Sequence, residues 1–331
     1  MEFTFGVLTY NHKNLILETL ESIKYQIETY GQAYEVDLII TDDASKDNTV
    51  KSVRKWISAN LSLFRDITLI DNSENYGTVH NFNAILNHTK TKYFKIIAGD
   101  DVFSSGNLFE KVKKIDDNSL FGYIRMDLIE QKVFINERFF AKYLYNMGLK
   151  TYEEKLKAVR KGFYFNAPST IFTKELYNNA RCYKLNSQFK LYEDDPMWYS
   201  MIKNMPDLNV QFMSDVIVLY RVHRKSISTP GIHNTFFGSE VRKLWEMYYK
   251  ETKGLEHLYF WFVARDNAPK YLSIYNYFQF FRDKWIKLVV SRTPEYKILL
   301  NKMKETAVRE NEYYLKIHQH AKEFYERNID F

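Results

Sequence analysis

The chain has 331 residues, 45% of them hydrophobic, which is enough to bury a substantial core and excludes a disordered tail. Lys and Arg number 47 against 41 Asp and Glu, a formal net charge of +6 with both signs mixed, so no concentrated basic arm for nucleic acid is present. Cys182 is the single cysteine, which excludes an internal disulfide and any multi-cysteine metal site and leaves core packing as its expected role.

The first hundred residues alternate short apolar runs with helical patterns, as a parallel sheet with crossover helices requires. Strand one is expected over 3–9. Ile16, Leu20, Ile23 and Ile27 then recur at helical spacing, with Gly31 as the stop. A second strand over 36–41 leads into a polar segment, where Asp47 or Asn48 is placed to cap a helix through Val50, Val53 and Ile57. Strands three and four fall at 67–70 and 93–97. Ligands of open α/β sheets bind outside the carboxyl ends of the strands. Three polar clusters lie at such ends: Thr9-Tyr10-Asn11, Asp42-Asp43 and Asp100-Asp101. Adjacent carboxylates repel each other unless a cation or water compensates. Hard oxygen ligands at a strand end suit Mg2+ or Mn2+, with positions left for a substrate diphosphate. An ordinary Asp-rich turn explains any one cluster; three of them at strand ends argue for a single site.

Further along, an apolar stretch covers 163–173, and a late strand over 216–220 precedes Arg221-Val222-His223. After Gly238 the strand alternation gives way to a helical pattern rich in Lys, Glu, Tyr and Phe. Ile274, Tyr277, Phe278, Phe281, Trp285, Leu288 and Val289 share one helix face until Pro294 ends the pattern. That face reads first as the packing surface of a helix on the preceding domain or in a helical appendage, and second as a membrane-surface or protein-partner face. The N-terminus lacks the charged-then-apolar order of a signal peptide, and no apolar run reaches the roughly 18 residues that span a bilayer. The expectation is a cytoplasmic protein, with peripheral membrane contact through the C-terminal helices left open.

Several motifs then stand in a telling order. They are Leu8-Thr-Tyr-Asn11, Thr41-Asp-Asp-Ala-Ser-Lys-Asp-Asn-Thr49, Asn75-Tyr-Gly77 with Asn83, Ala98-Gly-Asp-Asp101, Tyr192-Glu-Asp-Asp-Pro-Met-Trp198, and His223 within Tyr-Arg-Val-His-Arg-Lys. Together, over residues 3 to 225, they resemble the nucleotide-sugar glycosyltransferases of family 2. The resemblance implies an α/β fold of the GT-A (Rossmann-like) type, a mostly parallel sheet flanked by helices. The catalytic domain would span 1–235, with a nucleotide-sugar half at about 1–102 and an acceptor half at about 103–235. A helical region would occupy 236–331.

The resemblance also implies roles for residues. Thr9, Tyr10, Asn11, Asp42, Asp43, Asn75, Gly77, Asn83, Asp100 and Arg221 would contact a UDP-sugar. Asp43 would take the uracil ring, and Gly77 would let the backbone approach the nucleotide. Asp100, Asp101 and His223 would hold Mn2+ or Mg2+; beside them Arg221, Arg224 and Lys225 read either as neutralising the leaving diphosphate by charge-assisted hydrogen bonds or as a solvated basic loop. Asp194 is implied as the general base. Glu193 and Asp195 would hold the acceptor or cap a helix, and Tyr192 and Trp198 would offer rings to an acceptor sugar unless Trp198 packs inward. Two positions depart from the family pattern: Ala98, where an acid is common, and Phe82, where a basic residue is common. The implied activity is inverting transfer of a hexose, glucose or galactose foremost, to a hydroxyl of a glycan or glycoprotein. A nucleotidyltransferase and a non-catalytic partner subunit are the alternatives.

Overall fold

The computed structural model describes residues 1–162, 165, 167–223, 236–266 and 273–328. Strands β1 (Glu2–Thr9), β2 (Glu35–Asp42), β3 (Asp66–Asp71) and β4 (Tyr93–Ala98) form a parallel sheet in the order β3-β2-β1-β4. Helices α1 (Ile16–Tyr30), α2 (Thr49–Ala59) and α3 (Thr78–His88) make the crossovers. Each strand lies within one residue of its expected bounds; β1, β2 and β4, buried on both faces, read as near-continuous apolar runs, and the edge strand β3 is half-buried. Phe3, Phe5 and Val7 of β1 are fully buried, with Phe3 and Phe5 edge-on to Phe109. Gly31 follows α1 and its N–H bonds to the Ile27 carbonyl. At α2, Asn48 is the cap position, but the Asp47 carboxylate accepts the Thr49 N–H at 2.9 Å.

The strand order decides where a ligand goes. The chain steps outward from β1 to β2 and β3, then returns through α3 to β4 on the other side of β1, so the order reverses between β1 and β4. The crevice at such a reversal, outside the carboxyl ends of the strands, is the binding position of open α/β sheets. Register brings Leu8 opposite Ala98 and Thr9 opposite Asp42 there.

Two smaller mixed sheets follow. Their elements are β5 (Val102–Phe103), α4 (Leu108–Val112), β6 (Ser119–Tyr123), β7 (Met126–Ile129), β8 (Lys132–Ile135), α5 (Glu137–Met147), α6 (Tyr152–Arg160), β9 (Thr170–Ile171), α7 (Lys174–Asn179), α8 (Cys182–Asn186), α9 (Asp194–Asn204), β10 (Asn209–Met213) and β11 (Val218–Arg221). Strand orders are β10-β6-β9 and β5-β11-β7-β8. Of the apolar stretch expected over 163–173, β9 alone is strand, after a 3-10 turn at Ala167–Ser169; positions 163, 164 and 166 lie outside the described residues. Cys182 is fully buried in the core.

The C-terminal helices are α10 (Phe236–Glu251), α11 (Gly254–Ala264), α12 (Ile274–Val290) and α13 (Pro294–Asn328). At 35 residues, α13 runs roughly 50 Å and is joined directly to the first hundred residues. Tyr313 packs on Tyr25, Glu310 accepts from the Ser105 N–H and hydroxyl, and Asn311 pairs with the Val133 backbone. Helix α12 corrects an expectation. The face of Ile274, Phe278, Phe281 and Trp285 is largely exposed, with the Trp285 ring reaching back to Tyr145 of α5 at 5.8 Å, and the helix is buried through Asp283, Ile286 and Val290. Among the described residues no helix is long and apolar enough to cross a membrane.

Candidate active site

The turn after β4 is clasped from two sides. Asp101 N–H bonds to the Ala98 carbonyl at 3.1 Å, Thr19 of α1 donates to the Asp101 carbonyl at 2.7 Å, and Arg221 Nε donates to the Asp100 carbonyl at 2.6 Å. Gly99 is required at this corner, because a Cβ there would come within 3.0 Å of Thr9 Oγ1 and His12 Nδ1. Successive side chains at a strand end point to opposite sides, and the two aspartates separate accordingly. Asp100 faces outward and its Oδ2 meets His223 Nε2 at 2.9 Å, across 123 positions of sequence. Burial raises the Asp100 pKa, but the His223 hydrogen bond and the charges of His12, His223 and Arg221 outweigh it and hold the group below its ordinary value.

Asp101 is different. It is 1% exposed, one oxygen accepts the Arg221 backbone N–H at 2.8 Å, and the other has no partner among the described residues. Burial and the Asp100 charge push its pKa well above the ordinary carboxylate range. Beneath it, burial lowers Lys95 to about 7 against the pull of Asp101. The expected role of Asp101 as a metal ligand is therefore corrected: its side chain is turned into the protein.

Arg221 is corrected too. It is 8% exposed, and its guanidinium is committed to the Glu18 carboxylate, which also accepts from Tyr314 Oη at 3.0 Å and pairs with His318 Nδ1 at 2.7 Å. Arg221 therefore braces the Asp100-Asp101 turn instead of facing a diphosphate. Arg224 and Lys225 lie outside the described residues. The chemistry of Asp100 and His223, one carboxylate oxygen and one imidazole nitrogen, fits Mn2+ or Mg2+ with other positions left for phosphate oxygens. No group of three or more such side chains is arranged to hold a metal among the described residues.

The donor-side loops are clipped together. Asn11, at φ 56°, accepts the Lys46 N–H at 2.8 Å, while Asp42 accepts the Ser45 N–H at 2.7 Å and its hydroxyl at 2.6 Å. Both Asp43 oxygens accept backbone donors, Tyr76 N–H at 2.7 Å and Gly77 N–H at 2.9 Å. Gly77 has φ 89°, and a Cβ there would meet the Lys190 carbonyl at 2.5 Å. A close approach at Gly77 is made by the Lys190 backbone. Thr9 is buried beside His12 (3.3 Å), whereas Tyr10 and Tyr76 present rings 43% and 42% exposed. Asn83 accepts from Tyr177 Oη at 2.8 Å, and Phe82 is buried.

Lys190 carries the connection to the acidic triplet. Its carbonyl accepts the Val79 N–H at 3.0 Å and its ammonium donates to the Asn75 carbonyl at 2.8 Å. From the other side, Glu240 of α10 accepts the backbone N–H groups of Lys190, Leu191 and Tyr192. The next residues, Glu193 to Asp195, open α9. Glu193 makes no side-chain cap bond and lines a small cavity with Leu8, Phe82 and Ala98. Asp195 binds the Tyr192 hydroxyl, and Asp194 Oδ1 accepts the Asp195 N–H at 2.9 Å.

Burial raises the pKa of all three acids. For Glu193 and Asp195 the Asp194 charge adds to burial and pushes both to about 8. The Asp194 charge thus opposes ionisation of both its neighbours. The expected ring platform is corrected. Tyr192 is 8% exposed, between Phe189 and Phe237, and Trp198 is fully buried against Phe172. Four residues beyond Asp194, Trp198 lies on the inward face of α9.

A stability test follows. The folded values near 8 lie above the unfolded values of about 4. In that window the native state binds more protons, so stability falls as pH rises from about 4 to 8. Asp195→Asn retains an acceptor for the Tyr192 hydroxyl and removes one of these groups. Its melting temperature should exceed that of the parent by about 2 to 4 °C at pH 8 and match it near pH 4. Equal melting temperatures at both pH values would contradict the assignment.

His12, Glu18 and Glu240 were missed in the sequence. His12 carried a weak signal, standing directly after Asn11; burial lowers its pKa while Asp100 pulls it up. Glu18 and Glu240 carried none, because their partners are remote.

A parallel sheet with a carboxylate-histidine pair and an acid triplet at its switch point has the architecture of the GT-A class. Two solved structures show the same fold. TarS of S. aureus in complex with UDP-GlcNAc gives a TM-score of 0.53 at 13% identity, covering 98% of this chain and 92% of that one. The mannosyltransferase PcManGT of Pyrobaculum calidifontis, in complex with GDP-Man and Mn2+, gives 0.53 at 16% identity, covering 95% and 86%. The sequence model of glycosyl transferase family 2 matches residues 4–179, more than half of the chain, and the chain belongs to that family. The bifunctional glycosyltransferase pgtA of Dictyostelium discoideum is 26% identical over 257 residues, 68% of this chain. The chain spans about a third of that relative, 32% of its length.

Proposed function

We propose that this family 2 protein is an inverting glycosyltransferase that moves a hexose, glucose or galactose foremost, from a UDP donor to a hydroxyl of a glycan or glycoprotein. The observation that carries the reading is the meeting of Asp100 and His223 at 2.9 Å at the β1/β4 switch point, with Glu193 reaching the same strand ends beside Leu8 and Ala98. The nucleotide would lie over Thr9 to Asn11 and the Asn75 to Gly77 loop, with the exposed ring of Tyr10 available to its base. The uridine assignment is supported by the UDP-GlcNAc bound to TarS. A divalent ion held by Asp100 and His223 would offset charge on the departing diphosphate.

Asp194 takes the acceptor proton. An inverting transfer needs a carboxylate on the face opposite the leaving group, to accept the hydroxyl proton as the new C1–O bond forms. Asp194 is the member of the triplet whose charge raises both neighbours, and its carboxylate accepts the Asp195 N–H, which favours its charged form. Glu193 and Asp195, protonated to about pH 8, are left to donate hydrogen bonds.

The test is release of nucleoside diphosphate from a panel of nucleotide sugars with Mn2+, with and without chelator. Slow, chelator-sensitive release of UDP from one UDP-hexose without acceptor is expected. Release of pyrophosphate would indicate nucleotidyl transfer. No release from any donor, with no thermal shift on adding UDP, would favour a non-catalytic partner.

A further inference from the structure

Helix α12 is amphipathic in the inverted sense. Its single carboxylate, Asp283, is buried against α5, where Arg138 Nε at 2.5 Å and Lys142 Nζ at 2.7 Å hold it. The apolar stripe faces away. Ile274, Phe278, Phe281, Trp285 and Leu288, spaced by four and three residues, are 42–66% exposed. Helix α11 extends the surface with Leu255, Trp261 and Phe262, and the Tyr259 and Phe278 rings, 5.3 Å apart, join the two helices. Each large ring offers about 150–250 Å2 when whole, so at these exposures the α12 stripe presents roughly 500 Å2 of apolar surface, to which Leu255, Trp261 and Phe262 of α11 add. Patches of that size on a soluble monomer mark a binding surface.

The charges select the partner. Lys284 and Lys287 are the exposed charges near the α12 stripe, Lys287 paired with Glu137 of α5 at 3.0 Å, and Arg292 and Lys297 follow, with Glu295 the one exposed acid within 274–298. Trp, Tyr and Phe rings with a basic rim are the composition of helices that lie in the headgroup layer of an anionic bilayer. In a two-fold pairing of two copies, the same cationic rim would meet itself. The ion pairs of Asp283 fasten the helix to α5, so the stripe is presented on a fixed element and not on a free tail.

We propose that the exposed α11–α12 face docks this protein on anionic phospholipid membranes, lying flat in the interface. This goes beyond the transferase reading and stands or falls separately from it. The test is co-sedimentation of the full chain with phosphatidylcholine vesicles, with and without phosphatidylglycerol, and sedimentation velocity without lipid.

The parent should bind phosphatidylglycerol vesicles and be released by salt. Phe281→Asp with Leu288→Asp, both on the exposed side and away from the Trp285–Tyr145 contact, should lower binding at least about tenfold with the melting temperature unchanged, and Lys284→Glu should weaken binding to the anionic vesicles alone. Leu288→Gln, at a side chain 53% exposed, serves as the milder variant should the double one unfold. Failure of the parent to bind, or equal binding by the parent and both the double and Leu288→Gln variants, would overturn the proposal. A dimer abolished by the double substitution, without vesicle binding, would assign the face to a second copy instead.

Discussion

Asp194→Asn should lower turnover by about 10²- to 10⁴-fold, roughly 3–5 kcal/mol of transition-state stabilisation, the usual contribution of a positioned general base. The substitution is close to isosteric and keeps a carbonyl oxygen for the Asp195 N–H that Asp194 now accepts. The start of α9 is therefore preserved, and UDP-sugar affinity, measured by calorimetric titration, should stay within about twofold, because the loss falls on the transition state. Glu193→Gln and Asp195→Asn exchange groups that are protonated up to about pH 8 for neutral amides, so each should lose far less rate at neutral pH. A larger loss in Glu193→Gln than in Asp194→Asn would move the base to Glu193, which lines the cavity by Ala98.

Asp100→Asn should raise the Mn2+ concentration needed for half-maximal activity at least tenfold and lower saturated turnover by about 10²-fold or more, from loss of charge stabilisation at the leaving group. The backbone is unaffected, because Arg221 Nε is held by the Asp100 carbonyl and not by its carboxylate. Asp101→Asn makes the contrast. With its pKa pushed well up, Asp101 is biased to its neutral form, and an amide retains an acceptor for the Arg221 N–H. Its Mn2+ curve should match that of the parent. A Mn2+ shift in Asp101→Asn equal to that in Asp100→Asn would restore Asp101 as a ligand and refute the inward assignment. Both curves are read from initial rates of UDP release against metal concentration.

The central sheet was legible because β1, β2 and β4 are buried on both sides, and such strands leave an apolar run with a polar end, while the half-buried edge strand β3 keeps the same apolar core of Ile67, Leu69 and Ile70. The site was legible to the same depth. Thr9, Asp42, Asp43 and Asp100 stand where their strands stop, and β-strand register brings strand ends together. Side-chain direction was not legible. Asp100 and Asp101 are one chemistry in the sequence, yet one meets His223 and the other is sealed in the core. Tyr192 and Trp198 flank the acids along the chain, but the rotation of α9 about its axis buries Trp198, and Phe189 and Phe237 enclose Tyr192 ahead of the helix.

Long-range partners were also out of reach. Arg221 meets Glu18 across 203 positions, and Glu18 meets His318 across 300. Glu240 holds the backbone of 190–192 from a helix whose packing no local pattern encodes. Composition and periodicity are properties of a segment, and they settled the existence of the strands, the positions of the strand-end acids and the apolar stripe of α12. Which neighbour each group faces depends on the summed packing of the rest of the chain. In α12 the periodicity identified one apolar face; the ion pairs of Asp283 with Arg138 and Lys142 turned that face outward.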